Sequence, residues 1–248
     1  MVEPMFTRNF DQPVQVGSVV DLTGSEAKHA VSVRRMRVGE AIQLTDKAGL
    51  RVRGLVDSIV GNNLHIRVSS VEQEPTPQIQ ITLIQALAKG DRDELAVQAA
   101  TELGVVGVIP WEADRSVSRW IGIKEVKGVE RWQSIVTEAA KQSLSSWHPV
   151  VQSPIKGMLV SDLVKQFDLV LVLDPTASSG MGVQNMPKAG KIALVVGPEG
   201  GISEPELAAL EKAGAVRVHL GAPILRTSTA GIAAISGILA LTGQWGSK

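Results

Sequence analysis

The chain has 248 residues, 44% of them hydrophobic, with 25 basic and 25 acidic side chains and no cysteine. Disulfides, thiolate metal sites and thiol nucleophiles are therefore excluded, and a formal net charge of zero gives no global attraction to nucleic acid. No apolar run approaches the roughly 18 residues that span a bilayer, and at roughly 150 residues per domain the length fits one large or two modest domains.

The opening, MVEPMFTRNF, has neither a basic n-region nor an apolar h-region, so a cytoplasmic protein is expected. Residues 1–74 read as small strands around one short helix. VGSVVDL (16–22) has strand character, and Ser25 before EAKHAVSVRRM reads as the N-cap of a helix. EAIQLTD, LRVRGLVDSIV and LHIRVSSVE alternate and are β-branched, with AG (48–49) and GNN (61–63) as turns. From Lys28 to Arg53 there are seven basic residues against two acidic ones, Glu40 and Asp46. That local excess is either a phosphate-facing patch or a solvated surface. EQEPTPQ (72–78), with two prolines, reads as a linker.

From Ile79 the pattern becomes alternating strands and helices. IQITLIQAL is a strand; DRDELAVQAATEL is a helix with apolar Leu95, Ala99 and Leu103, stopped by Gly104. VVGVIP is a strand and EVKGVERWQSIVTEAAKQSL a long amphipathic helix. FDLVLVLDP and KIALVVGPEGG contribute fully apolar strands, the mark of a parallel α/β sheet buried on both faces. Ser203 and Glu206 form a capping box, with Pro205 in the first turn of the helix they open. AVRVHLG then leads through APILRTST to the terminal helix AGIAAISGILALTG. That helix lacks a polar face and needs a covering surface, its own core or a second subunit.

Two loops carry the chemistry. GPEGG (197–201) follows a strand and precedes a helix, yet it has neither the Lys of a Walker loop nor the G-x-G-x-x-G spacing. Its carboxylate, Glu199, opposes a polyphosphate beside it. The second loop, LGAPILRTSTAG (220–231), also joins a strand to a helix, and loops leaving the carboxyl ends of neighbouring parallel strands meet in one crevice. Glycine backbone, apolar Ile224 and Leu225, the hydroxyls of Thr227, Ser228 and Thr229, and the guanidinium of Arg226 together suit an adenosine-containing ligand. The four histidines (His29, His65, His148, His219) have no ligand-like spacing, so no metal is expected.

The pair GPEGGISEPE and LGAPILRTSTA closely resembles the RsmE family of SPOUT-superfamily methyltransferases. The likeness continues through KGDRDELAVQAATELGVVGVIPWEADRS, EAAKQS and the N-terminal module, so it covers nearly the whole chain. It implies a PUA-like RNA-binding β-barrel over residues 1–74 and a SPOUT-type α/β domain with a C-terminal trefoil knot over 79–248. The implied activity is methylation of N3 of a uridine in 16S, small-subunit ribosomal RNA from S-adenosylmethionine, by a homodimer acting on an assembled or nearly assembled 30S subunit, away from membranes. A ribosome assembly factor with a vestigial cofactor pocket and a ribose 2′-O-methyltransferase of the same superfamily are the alternatives. The resemblance places the cofactor against Leu173, Gly197, Gly201, Leu220, Gly221, Ile224, Leu225 and Thr227. Ser228 and Thr229 are either further contacts or N-caps of the last helix.

Arg226 is the expected stabiliser of a uridine oxyanion, with phosphate binding and an ion pair as its other roles. Glu199 is either the general base for N3 or a brace for the loop and Arg226. Arg8, Arg34, Arg35 and Arg37 are the expected contacts to RNA phosphates. With three Phe and no Tyr, stacking platforms are not expected. Two departures stand out. LSSWHP replaces a loop that in the family carries arginines before the proline, and Arg226-Thr227-Ser228-Thr229 lacks the Glu of the family's R-T-E-T.

Overall fold

The structure is a computed structural model that describes residues 3–246. The chain forms two units, one of residues up to Thr76 with Ala140–His148, the other of Pro77–Ala139 with the chain from Pro149 onward.

In the first unit, β1 (Met5–Thr7), β2 (Val19–Leu22), β3 (Ala41–Thr45), β4 (Leu50–Val60) and β5 (Asn63–Gln73) form one sheet in the order β1-β3-β4-β5-β2. β1 runs parallel to β3, and the other pairs are antiparallel. Alternate residues such as Leu44, Val52, Leu64 and Ile66 point into one core with Phe6 and Leu22, as a half-buried sheet requires. Gly54 sits at a bulge where any Cβ would lie 2.5 Å from the Arg67 carbonyl oxygen. The expected strand over 16–22 begins only at Val19, because Gly17 adopts φ +86° and Ser18 N–H closes a turn on Gln15 O.

The helix in this unit also departs from expectation. Helix α1 (Gly24–Lys28) has Thr23 as its N-cap residue, without a side-chain bond, so Ser25 lies inside the helix. It continues as a π-helical segment, His29–Val33, instead of running to Met36. The wider turn and the left-handed Arg35 (φ +55°) bring Met36 back into the core, its N–H bonded to Ala30 O.

The second unit is built on a parallel sheet. β6 (Ile79–Ala86), β7 (Gly107–Glu112), β8 (Val150–Val151), β9 (Ile155–Lys156), β10 (Leu169–Leu173), β11 (Gly190–Val196) and β12 (Val216–Val218) are ordered β12-β10-β11-β6-β7-β8, with β9 also on β7. Side chains alternate between two cores. Ile81, Leu83, Leu171 and Leu194 face one; Ile84, Val170, Val172 and Val195 face the other. The first core is shared with helices α2 (Arg92–Glu102), α3 (Ile123–Gln142) and α5 (Thr227–Leu241), the second with α4 (Glu204–Ala213) and the 3-10 helix Gly157–Gln166. The fold is α/β, as the apolar runs predict.

Helix α2 buries Ala96, Val97 and Ala100, not the expected stripe through Leu95, which is 51% exposed. The small residues allow close packing on α5 and β6. Gly104 follows as the expected stop, at φ +86°.

Candidate functional site

β12, β10 and β11 lie side by side, so the loops leaving their carboxyl ends converge. Between them is a cavity of about 710 Å³, lined by residues 173–176, 196–202, 218–221 and 223–227, together with Arg92 and Arg115. That volume suits a small-molecule ligand.

Local rules shape each wall. Gly197 must lack a side chain, since a Cβ there would stand 2.6 Å from Ile202 Cγ1. Gly201 and Gly221 adopt φ of +74° and +110°, open to glycine and strained for a β-branched residue. Helix α4 starts with the predicted capping box of Ser203 and Glu206. Glu206 also accepts the Asp114 N–H at 2.8 Å, tying this helix start to the loop after β7. Buried Thr227, the first residue of α5, donates to Gly197 O and accepts from Gln85 Nε2, both at 2.9 Å. One hydroxyl thereby joins the end of β6, the glycine loop and the final helix.

Leu173, Gly197, Gly201, Leu220, Gly221, Ile224, Leu225 and Thr227 all line the cavity, as do Glu199 and Arg226. Ile224 is 79% exposed there, an apolar side chain with little cover. Ser228 and Thr229 are not among the lining residues. Neither is the N-cap of α5: that position is Arg226, and both lie within the first turn, where Thr229 Oγ1 bonds back to Arg226 O.

Glu199 departs from its expected partner. Its Oε1 accepts the Lys89 N–H at 3.1 Å and the Arg92 guanidinium at 2.8 Å, leaving Arg226 outside the pair. Burial would raise the carboxyl pKa, but hydrogen bonds from its own N–H, from Lys89 and from Arg92 outweigh it and hold the group below its ordinary value. Such a carboxylate is held in place by two bonds and takes up a proton less readily than an ordinary one. Arg226 is exposed, and its guanidinium has no ion pair or hydrogen bond among the described residues. The expected bracing ion pair is therefore not present among the described residues, and Arg226 lines the cavity as an exposed side chain.

Sequence reasoning missed Arg92, Arg115 and Asp174. Arg115 donates to Gly200 O at 3.2 Å, and a Cβ on Gly200 would press on its Cβ at 3.1 Å. Asp174 is gripped by Arg217 and Thr176; burial raises its pKa, but these bonds bring it below the usual range. KGDRDEL contains Arg92, EADRS contains Arg115 and FDLVLVLDP contains Asp174, but no local pattern in these stretches marks a role for any of the three.

The expected RNA contacts lie in the N-terminal unit. Arg34, Arg35 and Arg37 are exposed and without ion pairs among the described residues. Arg8 packs over the Phe10 ring at 4.8 Å and bonds Asp21 O. Where the family carries its arginine loop, Trp147 packs against Gly49 and donates to Pro75 O, a packed residue and not a free stacking group.

A family model for an RNA methyltransferase domain matches residues 74–239, and one for an RNA methyltransferase PUA domain matches 22–68. The ribosomal RNA small subunit methyltransferase E of Mycobacterium bovis is 40% identical over 233 residues, 92% of this chain and 89% of that protein. Its namesake in Bacillus subtilis is 31% identical over 235 residues, 92% of each. The crystal structure of the Neisseria gonorrhoeae enzyme of that name, bound to S-adenosyl methionine, superposes with a TM-score of 0.85 at 29% identity, covering 97% of this chain and 98% of that one. With the domain match and these identities spanning nearly its whole length, the chain belongs to the ribosomal RNA small subunit methyltransferase E family.

Proposed function

We propose that this protein transfers a methyl group from S-adenosylmethionine to N3 of a uridine in 16S ribosomal RNA. The carrying observation is the cavity itself, where three adjacent loops present glycine backbone, apolar Leu173, Ile224 and Leu225, and the Arg226 guanidinium, unpaired among the described residues. These features fit the cofactor, whose adenosine needs apolar cover and backbone partners. Gly197, Gly201 and Gly221 admit its close approach, and Thr227 fixes the two loops around it.

The bound cofactor supplies an electrophilic methyl group on a sulfonium. The protein's part is positioning and charge control. Loss of the N3 proton to water spreads negative charge onto the uracil carbonyl oxygens, and Arg226, with no partner among the described residues, stabilises that charge until N3 takes the methyl group. Glu199, kept ionised, holds the glycine loop through Arg92 and Lys89.

The wider reading follows the same lines. Residues 1–74 are the RNA-binding PUA-like domain, with Arg8, Arg34, Arg35 and Arg37 toward phosphates, and 79–248 are the SPOUT methyltransferase domain. The trefoil knot is supported by the sheet order: the chain passes from β11 beyond β10 to β12, and α5 then returns to the face of β11 and β6. A homodimer through α5 is supported by Leu241 and Trp245, 50% and 61% exposed at the end of that helix. No helix among the described residues is long and apolar enough to cross a membrane. We read a cytoplasmic enzyme acting on 30S subunits. Calorimetric titration with S-adenosylmethionine tests the pocket: saturable binding is expected, and its absence would leave a vestigial site.

A further inference from the structure

We infer that His219 is a positioning residue for the cofactor loop, holding it through a neutral imidazole whose Nδ1 is an acceptor; this rests on the proposed cofactor site. His219 follows β12 and lines the cavity, yet nothing in its sequence neighbourhood marks it. Its Nδ1 lies 3.1 Å from the N–H of Gly221, so Nδ1 carries the lone pair and the proton sits on Nε2. The bonded residue is the one at φ +110°, where the chain turns back toward Ile224 and Leu225.

Two backbone bonds fix the residue and one contact seats its ring. The His219 backbone is tied on both sides to the segment after β10, its N–H to Ser179 O and its O to Met181 N–H, both at 3.0 Å. Gly180 lies between those partners, and a Cβ on it would stand 3.3 Å from the His219 Cε1. The ring therefore rests on a glycine whose φ of −79° requires no glycine. Absence of the side chain, not backbone freedom, is what that position supplies. Gly180 seats the ring, the ring receives the Gly221 N–H, and the loop carrying Leu220 to Leu225 keeps its turn.

The tautomer is measurable without ligand. A long-range ¹H–¹⁵N spectrum of the protein at alkaline pH, with His219 assigned by its loss in His219→Asn, should show the Nε2–H form. An Nδ1–H form would overturn the inference. Calorimetry with S-adenosylmethionine supplies the second arm. Loss of one neutral hydrogen bond corresponds to about 2- to 10-fold in affinity, so His219→Ala should weaken binding by that much. His219→Asn, which keeps an acceptor at the δ position, should recover most of it, and His219→Gln should not. Gly180→Ala, which displaces the ring by a few tenths of an ångström, should weaken binding too, and it keeps the test open if His219→Ala fails to fold. Parental affinity in both His219→Ala and Gly180→Ala, or no recovery in His219→Asn, would refute the role. A parent protein that binds no cofactor would instead sink the cofactor reading, and the spectrum alone would decide the histidine.

Discussion

The Arg92 guanidinium donates to the Glu199 carboxylate at 2.8 Å, joining the first residue of α2 to a glycine loop 107 residues later. The Lys89 N–H adds a second bond to the same oxygen, so the loop is pinned to the segment after β6. Glu199 is thereby occupied in a structural bond. Because its folded pKa lies below the ordinary value of 4.5, the interaction is complete above that value and is lost only as pH falls through the lower folded value. Glu199→Gln should weaken S-adenosylmethionine binding by roughly 2- to 10-fold. Its methylation rate should rise with pH no more than the parent's does. A steep alkaline rescue confined to the variant would restore the general base.

Gly201 and Gly221 are held at positive φ on the cavity wall. Valine at either site forces a disfavoured backbone and should abolish cofactor binding. The N-terminal unit, with its own core around Phe6 and Leu44, should remain folded. Circular dichroism and cofactor titration of both variants check this; unchanged affinity in both would remove the loops from the site.

His148, buried in the N-terminal unit, gives a pH signature. Burial first, and then the positive charge of Lys47, push its pKa from 6.5 down to about 4. Unfolded chains therefore take up the proton first as pH falls. The neutral ring's stabilisation is complete above about pH 6.5 and declines toward pH 4, a loss of about 3 kcal/mol. Urea unfolding across that range should show the decline in the parent and a smaller one in His148→Phe. Equal slopes would assign the acid sensitivity elsewhere.

Arg226→Lys separates charge from shape. Lysine keeps the positive charge but loses the planar fork, so turnover should fall by about 10²–10³. Cofactor affinity should stay within about twofold of the parent. Single-turnover rates beside calorimetry read the two effects separately. Near-parental turnover would end the oxyanion role.

What the sequence revealed depended on range. The capping box of Ser203 and Glu206 is a four-residue signal, and the structure reproduces it. The parallel strands were legible because double-sided burial makes their runs continuously apolar. Ser25 was misplaced because Gly24 already opens helix α1, and a π segment leaves no mark in a 3.6-residue period. The α2 face was misread because alanine packing, not leucine burial, decides it. At the site, glycine spacing located the cavity walls, whereas the Arg92–Glu199 and Gln85–Thr227 bonds span more than a hundred residues and have no local pattern. Ala140–His148 groups with the N-terminal unit through bonds such as Gly49 N–H to Ser146 O, equally invisible to periodicity.

The most direct test of the central claim is mass spectrometry of nucleosides from 30S subunits that lack the modification, incubated with the protein and S-adenosylmethionine. One N3-methyluridine per RNA is expected, formed by the parent and strongly reduced in Arg226→Lys. A 2′-O-methylated nucleoside, or no methyl transfer to 30S subunits that lack the modification, would contradict it.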